Sequence, residues 1–100
     1  MVVDNDRFRL DPAGDLWGLP IDQAQTQLRA RYGPDFRFAV IGPAGEHLVH
    51  YATVSHDGRH AGRGGSGAVL GAKNIKAVAV RGDSPVPLWD KEAFRASVKK

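Results

Sequence analysis

The 100-residue sequence contains no cysteine. Disulfides, thiolate zinc sites and iron–sulfur ligation by this chain are therefore excluded, and a reducing, cytoplasmic setting is the default expectation. Long apolar runs are lacking too: nothing approaches the ~20 residues of a membrane helix, so no membrane partner is expected. The opening Met1-Val2-Val3-Asp4-Asn5-Asp6 has neither the basic nor the apolar region of a signal peptide. Charge of one sign is scarce: 14 Lys and Arg face 11 Asp and Glu, for a net +3. The basic residues are scattered, which argues against nucleic acid. No internal repeat or low-complexity tract is present. What remains is an ordinary globular composition, 42% hydrophobic and 25% charged, enough for one modest core in a single unit over residues 1–100 with no internal boundary.

Glycine, in contrast, is concentrated. Ala61-Gly62-Arg63-Gly64-Gly65-Ser66-Gly67 holds four glycines and one arginine within seven residues and opens into Ala68-Val69-Leu70-Gly71-Ala72-Lys73-Asn74. Glycine permits positive φ and close approach of another molecule to the main chain. Successive N–H groups in such a loop converge into an anion-binding concavity, and Arg63 adds a planar guanidinium suited to phosphate. A short helix from about Gly67 to Lys73 would aim its positive end at the same spot. Gly62, Gly64 and Gly67 satisfy G-x-G-x-x-G, yet about seven residues separate them from the preceding strand, and no chain is left for a doubly wound sheet. A Walker loop fails because no Gly-Lys-Ser/Thr follows. The bland alternative is a flexible turn; the apolar flanks argue for a packed loop instead.

Periodicity places the remaining elements. Arg7 to Leu10 alternates as a half-buried strand. Ile21, Ala24, Leu28 and Tyr32 recur at helical spacing, predicting a helix from Pro20 to Tyr32 with Asp22 and Gln25 as a capping box and Gly33-Pro34 as its stop. Phe36–Ile41 and Leu48–Val54 read as two strands of an antiparallel hairpin turning at Gly42–Glu46. Ile75–Val80 reads as a central strand. Asp90 caps a last helix to Val98 whose apolar contact comes from Trp89, Ala93, Phe94 and Val98. The expected fold class is α+β, a mixed or antiparallel sheet with short helices.

Other residues carry less. His47 and His50 fall on opposite faces of the expected strand, and His56 and His60 on a loop, so solvated histidines are the expectation and a zinc site is not. Adjacent Ser55-His56-Asp57 cannot form a triad. Glu46 reads as a hairpin-corner residue, Lys73 and Lys76 as a phosphate-supporting or solvated basic face, and Trp17 and Trp89 as packing anchors.

Val40-Ile41-Gly42-Pro43-Ala44-Gly45-Glu46-His47-Leu48-Val49, then Ala61–Gly65, then Gly67–Gly82, together with Asp15-Leu16-Trp17-Gly18, resemble the second half of the N-terminal domain of the tungsten-containing aldehyde:ferredoxin oxidoreductases. The resemblance covers about residues 7 to 98, with three separated motifs in order. It implies an α+β base carrying a tungsten (or molybdenum) bis-pterin, with Arg63, Gly64, Gly65, Ser66 and Gly67 contacting the cofactor. It implies oxidation of aldehydes to carboxylates, with electrons leaving through a [4Fe–4S] cluster to ferredoxin. The cluster ligands and acid/base residues of that family lie in other domains, so remaining domains or subunits are the implied partners, ferredoxin indirectly, and no catalytic residue or metal ligand is assigned here. Ser66 stands where a bulkier apolar residue is common, His47 where asparagine is, and Ala72 where serine is. Two other readings stand beside this one. The first is a non-catalytic remnant or interaction domain with a vestigial anion loop, forming homo-oligomers through exposed edges. The second is a small nucleotide-phosphate binder.

Overall fold

The computed structural model describes residues 1–99. Six strands form one mixed sheet: β1 (Val2–Asp4), β2 (Arg7–Arg9), β3 (Arg37–Val40), β4 (Val54–His56), β5 (Arg59–Ala61) and β6 (Ala77–Arg81), in the order β2-β1-β6-β3-β4-β5. Only β1 and β6 run parallel; every other pairing is antiparallel. Among the described residues four helices complete the fold: α1 (Ile21–Tyr32), α2 (Pro43–Glu46), α3 (Ser66–Ala72) and α4 (Lys91–Val98). This is the α+β class expected from the pattern, and none of the described helices is long and apolar enough to cross a membrane.

The helical spacing in α1 buries Ala24 and Leu28 against one face of the sheet. That face supplies Val2, Phe38, Val40, Ala77 and Ala79, and Leu16 and Phe36 close the cluster. Tyr32, Phe36 and Phe38 pack ring on ring, with centroids 5.4 to 6.4 Å apart. β6 is central as expected, paired with both β1 and β3.

Five expectations are corrected. First, the 36–41 and 48–54 hairpin does not form. Pro43 begins a one-turn helix, β3 pairs with β6 over four positions, and β4 starts only at Val54, meeting β3 at Val40↔Ser55. The carbonyls of His50, Ala52 and Thr53 instead face the Gly-rich loop, where Ala52 accepts the Gly67 N–H at 3.0 Å. Second, residues 56–60 are a tight β4–β5 hairpin rather than an open loop. Asp57 (φ 46°) and Gly58 (φ 79°) make its two-residue turn, the Asp-Gly pair that primed turns favour. Third, the strand at Arg7 is exposed rather than half-buried, and β1 precedes it and turns into it through Asn5 (φ 56°). Fourth, α1 has Pro20 at its N-cap and no side-chain cap, so Asp22 and Gln25 form no capping box. Fifth, α4 has the expected Asp90 cap, with the Ala93 N–H donating to Oδ1 at 3.0 Å, but every residue from Lys91 to Lys99 is exposed and Trp89 stands fully in solvent.

Candidate functional site

The Gly-rich loop leaves the end of β5 and enters α3. Its outward part is Arg63 and Gly64. Both are exposed, Gly64 has φ +88°, and a Cβ there would meet no atom within 4 Å. Its inward part is Gly65 and Gly67, which are buried. A Cβ on Gly65 (φ +69°) would come 2.3 Å from the His50 carbonyl oxygen, and one on Gly67 would come 2.5 Å from that of Thr53. Ser66 is the half-buried first residue of α3. The glycines therefore divide the work: two let the loop press against residues 50–53, and one opens a turn toward solvent.

That division corrects one detail of the anion-nest expectation. The Gly67 N–H is consumed by Ala52 and does not point at a ligand. Among the described residues, the N–H groups of Arg63, Gly64, Gly65 and Ser66 donate to no protein acceptor, and the Arg63 guanidinium forms no ion pair or hydrogen bond. Four consecutive backbone donors without a protein acceptor thus adjoin in sequence a free, permanently charged fork, donor types that suit an anionic group. The α3 helix has only seven residues, so its dipole adds little.

The loop is held by an unusually close helix contact. A Cβ on Gly71 would lie 1.8 Å from the Gly45 carbonyl oxygen, and one on Gly45 would lie 2.7 Å from that of Gly67. α2 and α3 therefore touch backbone to backbone. Behind α2 stands a group that the sequence reading missed. Lys76 and Glu46, expected on a phosphate-supporting or solvated basic face and at a hairpin corner, form instead an ion pair with side chains 0% and 1% exposed. Lys76 Nζ donates to the Leu19 carbonyl at 2.8 Å and to Glu46 Oε1 at 3.3 Å. The Gly18 N–H donates to both Glu46 oxygens, at 2.8 and 2.7 Å. The network ties the 16–19 turn, α2 and the approach to β6 into one block. Glu46 follows Gly42-Pro43-Ala44-Gly45 in a sequence otherwise short of buried carboxylates, but nothing local marks it as buried; the signal is tertiary.

The remaining candidates disperse. His47 and His50 are exposed, His56 Nε2 lies 3.3 Å from Asp57, and His60 Nδ1 lies 2.6 Å from Ser55 Oγ across the hairpin. Ser55 is thus paired with His60 rather than with its sequence neighbour. Among the described residues, no group of three His, Asp or Glu side chains converges. Trp17 is 41% exposed, and its neighbour Leu16 is the buried anchor.

Residues 1–82 match the family model "Aldehyde ferredoxin oxidoreductase, N-terminal domain". Over its whole length the chain is 40% identical to the tungsten-containing aldehyde ferredoxin oxidoreductase of Pyrococcus furiosus and 39% identical to that of Thermococcus kodakarensis. It spans 17% of the length of each. Among solved structures, 95% of the chain superposes at a TM-score of 0.86 and 32% identity on 15% of a chain in the active-site complex BamBC of benzoyl coenzyme A reductase with 1,5-dienoyl-CoA.

Proposed function

Because this chain belongs to the aldehyde ferredoxin oxidoreductase family, through its N-terminal domain, we propose that it acts as one part of a larger tungsten- or molybdenum-pterin oxidoreductase. Residues 1–100 form one unit of it, and the loop Arg63–Gly67 holds the anionic end of the metallopterin. The supporting observation is that the four consecutive N–H groups from Arg63 to Ser66 have no protein acceptor and the Arg63 guanidinium has no partner among the described residues. Those donors fit a phosphate-bearing group, and the space at Gly64 leaves room for it. The same residues do not fit a metal ion, since the loop carries no anionic or imidazole ligand.

In this reading each residue has a limited task. Arg63 pairs with the negative charge through its planar fork. Gly64 takes the positive φ of the loop's exposed turn and leaves open space there. Gly65 and Gly67 seat the loop against residues 50–53, and Ser66 offers its N–H at the rim. When bound, the metallopterin supplies the two-electron redox chemistry of aldehyde oxidation. Proton transfer, the [4Fe–4S] relay toward ferredoxin and most substrate contacts belong to other domains or subunits, so the chain alone is inactive. The absence of cysteine suits a reducing cytoplasm.

The test is pterin and metal content of the complex formed when the chain is co-produced with the rest of such an oxidoreductase. Arg63→Ala should lower bound pterin about tenfold or more, the scale of a lost charge-assisted pair, with the fold unchanged by circular dichroism. Full retention of pterin by that variant removes the assignment. The rival reading, a non-catalytic interaction module with a vestigial loop, draws on the 17% span. It predicts a complex that forms without pterin in the wild type.

A further inference from the structure

The buried pair Lys76–Glu46 takes no direct part in the loop. A buried ion pair adds little stability over well-packed apolar residues of the same volume. What this one does is join two segments that both lead to the Gly-rich loop. Glu46 ends α2, and α2 carries the wall on which the loop rests. The Leu48 N–H donates to the Gly45 carbonyl at 3.1 Å, the Val49 N–H to that of Ala44 at 2.9 Å, and the Ala52 N–H to that of Val49 at 2.9 Å. Leu48 accepts φ 61° along this path, a costly value for its side chain that persists only where its surroundings hold it. Ala52 then takes the Gly67 N–H, and the His50 carbonyl limits the approach of Gly65. Lys76 lies on the other route. The Asn74 N–H donates to the Gly71 carbonyl at 3.0 Å and the Ile75 N–H to that of Leu70 at 2.9 Å, so the exit of α3 is locked to the backbone that carries Lys76. The entrance of α3 is Ser66. The two routes meet at the ion pair and again where α2 and α3 touch at Gly45, Gly67 and Gly71.

We propose that Glu46 and Lys76 are positioning residues for anion binding. Their ion pair fixes α2 against the exit of α3, and so sets the seat of Gly65 and Gly67 and with it the spacing of the Arg63–Ser66 donors. The proposal rests on the reading above that this loop holds the anionic end of the metallopterin. Donors that act together must be held to within about 0.5 Å. α2 is a single turn and α3 has seven residues, too short to keep such positions by their own hydrogen bonds. The clamp supplies what they lack, and the Gly18 N–H on Glu46 and the Leu19 carbonyl on Lys76 moor it to the 16–19 turn.

Inorganic pyrophosphate, standing for the phosphate end of the cofactor, is titrated into the full chain and followed by the amide NMR signals of residues 63–66. Amide exchange at Gly67 is read against that of the β3–β6 ladder. The wild type should bind, and Arg63→Ala should weaken binding about tenfold or more. Lys76→Met/Glu46→Gln removes the charges and keeps an acceptor for the Gly18 N–H. It should stay folded, exchange Gly67 about tenfold faster relative to the ladder, and bind pyrophosphate about fivefold more weakly. Leu28→Ala opens a cavity in the core beneath α1 and lowers stability without touching the pair. It should neither speed Gly67 relative to the ladder nor weaken pyrophosphate, which separates positioning from general stability. If the double variant does not fold, reciprocity replaces it: saturating pyrophosphate should slow exchange of the wild-type Gly18 amide, bonded to Glu46, relative to the ladder. Wild-type affinity or an unchanged Gly67 ratio in the folded double variant overturns the proposal and leaves the loop reading standing. In the fallback, an unmoved Gly18 amide does the same. No binding by the wild type, or equal binding by Arg63→Ala, defeats the loop reading and this proposal with it.

Discussion

A methyl group on Gly71 would sit 1.8 Å from the Gly45 carbonyl oxygen, a backbone atom with nowhere to retreat. Gly71→Ala should therefore cost about 3 kcal/mol or more, at the upper end of overpacking, and Gly14→Ala, in open space, should cost little; urea unfolding compares them. The Lys76–Glu46 pair is similarly unforgiving. Lys76→Met alone strands a buried carboxylate and should lose about 3–5 kcal/mol, and adding Glu46→Gln should recover part of it because the amide oxygen still accepts the Gly18 N–H. Two surface carboxylates contribute to stability in acid. The Arg81 hydrogen bond holds Asp4 below the usual carboxylate range; hydrogen bonds from Tyr32 and then Arg9 do the same for Asp11. Their folded pKa values are depressed, so their contribution is complete above the ordinary carboxylate pKa of about 4 and is lost as pH falls below it. Asp4→Asn should lower the melting temperature at pH 7 and flatten the acid limb of a pH–stability curve. Arg63 and the glycines around it were legible in the sequence because their composition is unusual. Lys76 and Glu46 were not, since a single lysine in a strand and a single glutamate after a turn look like surface residues.

At the scale of elements, local chemistry decided most boundaries. Gly33 (φ +89°) ends α1 as its position after the apolar period predicts, and Asp90 caps α4. The Asp57-Gly58 turn carried an equally strong local signal, masked by the apolar run at 48–54 that suggested a strand. Gly58→Ala, forced into φ +79°, should cost about 1 kcal/mol and loosen the β4–β5 hairpin, seen as faster amide exchange at His56 and Arg59. The 48–54 run failed as a strand for a reason no local pattern holds. The Ala52 carbonyl is taken by the Gly67 N–H, and Gly65 packs so close to the His50 carbonyl that a ladder partner has no room.

For the whole molecule, strand order governs what is covered. β6, last in sequence, sits between β1 and β3 and runs parallel to β1, which the intervening helices and hairpin make feasible. Beyond Arg81 the chain leaves this core, and α4 carries Phe94 and Val98 at 52% and 69% exposure. Ending the chain after Asp83 should therefore shift its melting temperature by no more than about 2 °C, well under the shift that losing 1 kcal/mol produces in a domain of this size; differential scanning calorimetry measures it. Composition, periodicity and turn residues by themselves determined the α+β class, the extent of α1 and α4, the central strand and the Gly-Arg-Gly-Gly loop, because each depends on residues close in the chain. Only the tertiary structure decided which glycine faces inward, that Glu46 and Lys76 meet in the dark, and that one sheet face stays bare. Those outcomes depend on backbones brought together from distant parts of the sequence, where no local pattern can carry the information.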